Sequence, residues 1–240
     1  MSLELGPGVS FGPGVSFDPL IYPVSSGLQL YYNPATYIGS GGDIDDLSGN
    51  GFTGNLQNVD TSTYAAGYFE YNGSSSNIQT PDMQSAFDST IAVSYEVWCR
   101  PYDIGCCVAE TGTAGWYDNQ MEVGGSSSPY QALCGVYSSG IVQFNPPGPN
   151  VLFNNWYQIF LTYDGTTGTS YINGSAGTTS APFTREAPFN FSNGYILNFG
   201  KSTATAIYSQ NWWNGSIGIV RAYNRGLSAA EVLQNFNATK

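Results

Sequence analysis

WWNGSIGIVRAYNRGLSAAEVLQNFNATK, residues 212–240, reads as a turn, a strand and a short capped helix. Asn214-Gly215 offers the positive φ angles of a tight hairpin turn. In the strand that follows, Ser216 to Tyr223, Ile217, Ile219 and Arg221 alternate against Gly218, Val220 and Ala222. Asn224-Arg225-Gly226 interrupts the strand. Ser228 then stands three residues before Glu231, the spacing of a reciprocal helix cap. Val232, Leu233 and Phe236 recur at helical spacing, so the helix can lay an apolar face on a sheet. The segment thus closes a β-sheet and latches it with a helix.

Working outward, short strands separated by turn residues are expected throughout the chain. They fall at Gly67–Asn72, Asn77–Thr80, Ile91–Arg100, Gly105–Glu110, Gln120–Val123, Tyr130–Tyr137, Ile141–Asn145, Thr169–Asn173 and Tyr195–Phe199. A first strand lies at Leu28–Tyr31, and Trp156–Tyr163 reads as a long buried one. Met83–Asp88 forms a single helical turn. Thirty Gly and eighteen Tyr favour strands and turns over helices. With 41% hydrophobic residues the chain can fill a sandwich core. Val93, Tyr95 and Val97, or their even-numbered neighbours, would line it. The sequons at Asn72, Asn173 and Asn214 sit between strands and read as turns.

Five segments resemble the laminin-G-like modules among concanavalin A-like jelly rolls, in the same order. They are DLSGNGFTGNLQN (46–58), GYFEYNG (67–73), IAVSYEVWCRP (91–101), WYQIFLTYDGTTGTSYING (156–174) and the closing GxIxxVRxYNRxLSxxEV pattern. The resemblance implies an all-β, two-sheet antiparallel sandwich with one short C-terminal helix. It spans residues 27–240 and leaves 1–26 as a separate N-terminal arm.

Composition narrows the function. The formal charge is −11 and no basic run exists, which disfavours nucleic acid and anionic membranes. The chain contains no His, so Ser-His-Asp and Cys-His catalysis cannot be assembled from it alone. Cys99, Cys106, Cys107 and Cys134 contain no C-x-x-C pair and read as buried free thiols. A disulfide from Cys134 to one of the other three is the alternative. No apolar segment is long enough to cross a bilayer, and no secretory leader is visible after Met1.

Some relatives implied by the resemblance are glucanases, which place two carboxylates about 5 Å apart on one strand when they retain configuration. Here Glu96 and Glu122 each stand alone on their strands, so the expectation is a protein without catalytic residues. Carbohydrate binding needs aromatic faces beside amides and carboxylates. Trp116, Tyr117, Asp118 and Asn119, with Trp212 and Trp213, have that make-up, whereas Trp98 and Trp156 read as core. Adjacent Trp212 and Trp213 cannot both point inward from an extended chain. The resemblance also brings a calcium ion into view, since such modules often hold one at a sheet rim. Asp43, Asp45, Asp46 and Asn50 are the best oxygen cluster for it, although the same residues serve equally well as turn formers. No other cofactor is expected.

Residues 6–17 are a tandem GPGVSF repeat, whose Pro and Gly exclude a regular helix or a central strand. Val9, Phe11, Val15 and Phe17 recur as apolar studs suited to docking on another polypeptide, either a partner protein or a neighbouring copy. Such a segment ahead of a laminin-G-like module resembles structural proteins of tailed bacteriophages. That implies a virion-surface component made in the host cytoplasm, a capsid decoration or fibre part contacting other virion subunits and host glycans. A stand-alone carbohydrate-binding module and a glycoside hydrolase are the alternatives.

Overall fold

A computed structural model of the chain describes residues 21–87, 91–111, 120–124, 130–137, 141–144, 151–184, 195–202 and 211–240. In chain order the strands are β1 (Leu28–Tyr32), β2 (Asp43–Ile44), β3 (Gly54–Gln57), β4 (Phe69–Asn72), β5 (Asn77–Gln79), β6 (Val93–Pro101), β7 (Gly105–Thr111) and β8 (Gln120–Gly124). They continue as β9 (Gln131–Tyr137), β10 (Ile141–Phe144), β11 (Tyr157–Tyr163), β12 (Gly168–Ile172), β13 (Ser175–Thr179), β14 (Ile196–Phe199) and β15 (Asn214–Tyr223). Helix α1 spans Gln84–Phe87 and α2 spans Ala229–Thr239.

Among the described residues these strands form two antiparallel sheets. Sheet I runs β1-β15-β6-β11-β12-β13, with β4 pairing the start of β15. Sheet II runs β10-β9-β8-β7-β14-β5-β3-β2. The expected all-β jelly roll with a C-terminal helix is therefore the observed architecture.

The core between the sheets follows from the period-two alternation of their strands. Val93, Tyr95, Val97 and Cys99 of β6 and Ile159 and Leu161 of β11 point into it from sheet I. Val108, Met121, Leu197 and Phe199 meet them from sheet II. The odd-numbered positions of β6 are thus the core set. Cys99, Cys107 and Cys134 are free thiols in this layer. Burial pushes the Cys99 and Cys134 thiols well above their ordinary range, which keeps them protonated and inert.

The opposite face of sheet I carries a second apolar layer. Val24, Phe160, Tyr171, Tyr223, Leu227 and Val232 bury one another beneath α2. The start of α2 carries both halves of its expected cap. The Ser228 hydroxyl accepts from the Glu231 amide, and the Glu231 carboxylate accepts from the Ser228 amide. Arg225 adds a bidentate pair to Glu231 at 2.6 and 3.0 Å.

Three local readings need correction. Asn214-Gly215 is no hairpin turn but the first part of β15, paired with β4 and β6. A Cβ on Gly215 would lie 2.3 Å from the Arg100 carbonyl, so glycine there permits close strand approach. Asn173-Gly174 does form a hairpin turn, with φ of 51° and 75°, joining β12 to β13. Asn72-Gly73 turns between β4 and β5, which lie in different sheets, and Asn72 Oδ1 accepts from the Ser74, Ser75 and Ser76 amides.

Second, β15 contains a bulge. Ile217 pairs with Cys99 but Val220 pairs with Val97, so one extra residue is accommodated over Gly218-Ile219. The bulge reverses the alternation. Ile217, Val220 and Ala222 face the core, while Arg221 lies on the α2 side and Ile219 leaves the core.

Third, the body begins before residue 27. The Val24 amide donates to Asn235 Oδ1 of α2, and the Gln234 amide group donates to the Tyr22 carbonyl.

Candidate functional site

The face of sheet I beneath α2 holds a carboxylate that is wholly buried. Glu96 accepts from Arg221 Nη1 at 2.9 and 3.0 Å, from Gln158 Nε2 at 2.9 Å, from Trp98 Nε1 at 3.1 Å and from Asn235 Nδ2 at 2.9 Å. Burial opposes the charge on Arg221, but Glu96 together with Tyr223 and Tyr31 holds the guanidinium above its ordinary value. Arg221 also donates to the Thr239 hydroxyl and lies over the Tyr31 ring. One residue from each of β6, β11, β15 and α2 therefore meets at a single charge. Glu96 is a structural hub, and no substrate can reach it without removing the helix. Glu122, the other lone carboxylate, lies on the opposite face of β8 from the core residues Met121 and Val123 and is 2% exposed.

Two residues along β6 the same face opens. Trp98 stacks on Phe236 of α2 with ring planes 2° apart, and its other neighbours form a cleft of about 370 Å³. Tyr68 and Trp156 are its further aromatic walls, their rings edge to face at 5.5 Å. Gly218 of the bulge forms the floor; a Cβ there would touch Trp156 and Trp98 at 3.6 Å and the Gly67 carbonyl at 3.3 Å. Ile219, Asn33 and Thr239 also line it, with Ala35, Ala66 and Gly67 from two short turns. Arg100 lies over the rings of Tyr68, Trp156 and Tyr102 at 5.0–5.4 Å and pairs with Glu70 at 3.1 Å. The volume lies within the usual range of ligand sites, and the lining is the customary mixture of aromatic faces with a few amides and hydroxyls.

Trp156 is 36% exposed and Trp98 is half-buried on the face of β6 away from the core, which corrects the expected place of both in the core. Strand β11 begins one residue after Trp156, once Asn154 at φ 66° has turned the chain. Neither Trp156 nor Tyr68 stands out in the sequence as a ligand contact. The available signal was the Asn154-Asn155 pair, which places a turn directly before Trp156.

Of the sequence-predicted residues, Trp116, Tyr117, Asp118 and Asn119 lie outside the described residues, as do Val9, Phe11, Val15 and Phe17. Trp213 is fully buried in the core and is a packing residue, so its expected role as a sugar contact is withdrawn. Trp212 is half-buried, with the Lys201 ammonium 5.0 Å from its ring. The pair does divide between inside and outside.

The Asp43–Asn50 loop is occupied by hydrogen bonding. Asp46 accepts from the amides of Tyr31, Ser48 and Phe52 and from the Ser48 hydroxyl, while Asn50 donates to the carbonyls of Leu28 and Gln29. Asp43 accepts from Asn55, and Asp45 is exposed. No three carboxylate or thiol residues converge on a metal-sized site among the described residues. As folded, the loop does not fit calcium, whose six to eight oxygen ligands would have to displace these bonds.

The outer face of sheet II presents amides in a row. Gln57 donates to Asn55 and to Gln79, and Gln79 and Asn77 both donate to Asn198 Oδ1. Asn77 is 1% exposed and its Oδ1 has no partner.

Comparison with known proteins agrees with this architecture. No curated protein matches the sequence. The fold is similar to domain 4 of AbnA, a GH43 extracellular arabinanase from Geobacillus stearothermophilus solved with arabinotriose, at 16% identity, TM-score 0.59, covering 88% of this chain and 98% of that one. It is similar to the binding domain of botulinum neurotoxin serotype D/C at 12% identity, TM-score 0.67, covering 90% of this chain and 53% of that one. A Trypanosoma rangeli sialidase solved with sialic acid aligns at 13% identity, TM-score 0.63, over 89% of this chain and 33% of that one. The chain thus spans about half of the toxin domain and a third of the sialidase, and at these identities the likeness is one of fold. The Laminin_G_3 model, described as concanavalin A-like lectin/glucanases superfamily, matches residues 72–233. The chain belongs to that superfamily, as a laminin-G-like jelly roll.

Proposed function

We propose that the protein is a glycan-binding jelly roll displayed on the exterior of a tailed-bacteriophage particle, as a capsid decoration or fibre component. The observation that carries the binding role is the cleft walled by Tyr68, Trp98 and Trp156, with one indole partly exposed and a glycine floor. Sugars stack their C–H faces on such rings while nearby amides and hydroxyls meet their hydroxyl groups. Structural relatives solved with arabinotriose, sialic acid and a sialylated ligand support the same class of ligand. Trp116, Tyr117, Asp118, Asn119 and Trp212 are proposed as further sugar contacts on residue type alone.

The role is binding without hydrolysis. Glu96 is committed to four neighbouring side chains, and it stands apart from any second acid on its strand. Fold relatives include enzymes, so the check is direct: incubation with an oligosaccharide that binds should release no shorter product.

The virion role rests on the tandem GPGVSF segment, with Phe11 and Phe17 as anchors on capsid or fibre subunits. Deleting residues 1–18 should leave a folded domain that no longer joins the particle, and normal incorporation would defeat the docking role. For the binding role, a glycan array probed with wild type and Trp156→Ala decides. Loss of signal in a variant of unchanged melting temperature supports the cleft; retained signal removes it.

A further inference from the structure

The charges around the cleft specify which saccharides it accepts, and this step rests on the glycan-binding reading above. Among the described residues, the cation bordering it is Arg100, which lies over the rings of Tyr68 and Trp156. That guanidinium is already neutralised. Glu70 pairs with it at 3.1 Å, and Ser216 and Tyr102 accept from it at 2.9 and 2.6 Å. Glu70 in turn accepts from the Tyr102 and Ser216 hydroxyls. Lys240 is one ring removed, over Phe236, on which Trp98 stacks. Arg221 is sealed against Glu96. A ligand carboxylate entering the cleft would therefore lose its water without gaining, among the described residues of the cleft wall, an uncommitted cation, and it would approach a chain of net charge −11.

We infer that the cleft takes uncharged saccharides and discriminates against sialylated or uronic ones. In this arrangement Arg100 is a positioning residue. Its flat cation lies against Tyr68 and Trp156 and holds the two rings at the angle that forms the wall. Glu70, Tyr102 and Ser216 keep it there by accepting from Nη2, and Ser216 also from Nε. The discrimination lies in the ion pair and the affinity in the rings. Gly218 supplies the depth, because β15 bulges at that residue and leaves no side chain between the two indoles.

The test is calorimetric titration of the full chain with arabinotriose and maltotriose as neutral probes, and with 3′-sialyllactose and trigalacturonic acid as acidic ones. Neutral probes should bind at least about tenfold more tightly, with little dependence on salt. Glu70→Gln keeps a hydrogen-bond acceptor but frees the guanidinium charge. It should raise the ratio of acidic to neutral affinity about tenfold. Gly218→Ala, whose added methyl enters the floor, should abolish neutral binding in a folded protein.

Acidic probes that bind as tightly as neutral ones, or a Glu70→Gln variant with no gain for them, would overturn the inference while leaving glycan binding intact. Neutral binding unchanged in Gly218→Ala would move the site elsewhere and overturn it as well. Silence from every probe in a folded wild-type protein would remove the glycan reading itself.

Discussion

Glu96 and Trp98 stand two residues apart on one face of β6, in opposite surroundings. Glu96 lies under α2 and receives hydrogen bonds from four side chains. Trp98 lies where the helix ends, with one ring face on Phe236 and the cleft beside it. The same sheet surface is therefore a sealed polar joint in one place and an open aromatic wall in the next. What differs is cover, supplied at the first position by the capped helix and withheld at the second by a bulge and a glycine. A charge on this face is structural because the helix excludes water and ligand from it. An aromatic ring a few ångströms away is available because nothing excludes them.

The largest effect should come from unsealing the joint. Arg221→Ala leaves Glu96 buried without its cation and should cost about 3–5 kcal/mol in urea unfolding. A loss below about 1 kcal/mol would show that water already reaches the carboxylate and that the two regions are not distinct. On the open side, Trp156→Ala should weaken a bound neutral trisaccharide about thirtyfold, or ~2 kcal/mol, while changing stability far less than Arg221→Ala. Equal losses of stability from both variants would erase the contrast.

Smaller effects follow at the helix start. Ser228→Ala should cost ~1 kcal/mol by removing one half of the reciprocal cap. Acid acts on the other half. The hydrogen bonds from Arg225 outweigh burial and, with Ser228, lower the Glu231 carboxyl from its ordinary 4.5 to about 2. The folded chain then holds this proton less tightly than the unfolded chain, so the stabilisation is present above pH 4.5 and is lost as pH falls towards 2. Melting temperature followed from pH 6 to pH 2 should decline less steeply in Glu231→Gln than in wild type. Parallel declines would mean that the cap does not sense acid. Chelation should do least. With Asp46 filled by four donors, EDTA is expected to leave the melting temperature unchanged, and a clear fall would place calcium in the loop after all.

How much of this was legible depends on how far each signal reaches along the chain. The capping box is a local bond pattern, and Ser228 and Glu231 announce it at their own spacing. The strand and helix of residues 216–240 were equally plain, as was the laminin-G-like succession of segments, whereas the expected Asn214-Gly215 turn proved to be the start of β15. The bulge was not. Whether Gly218 and Ile219 are absorbed against β6 depends on Val97 and Cys99, more than a hundred residues earlier. Trp156 was misread because every residue of β11 is buried, on one face by the core and on the other by the layer under α2. Such a strand shows no alternation to mark where it begins. The cleft combines β6, β15, two short turns and the end of α2, so its members are adjacent only after folding.

The side-chain clasp on β1 has a consequence for how molecules of this protein meet. Asp46, Ser48 and Asn50 satisfy the outward amide of Tyr31 and the outward carbonyls of Leu28 and Gln29, so the chain itself supplies what a foreign strand would otherwise bring. That flank of the sandwich is thereby closed to strand-by-strand polymerisation.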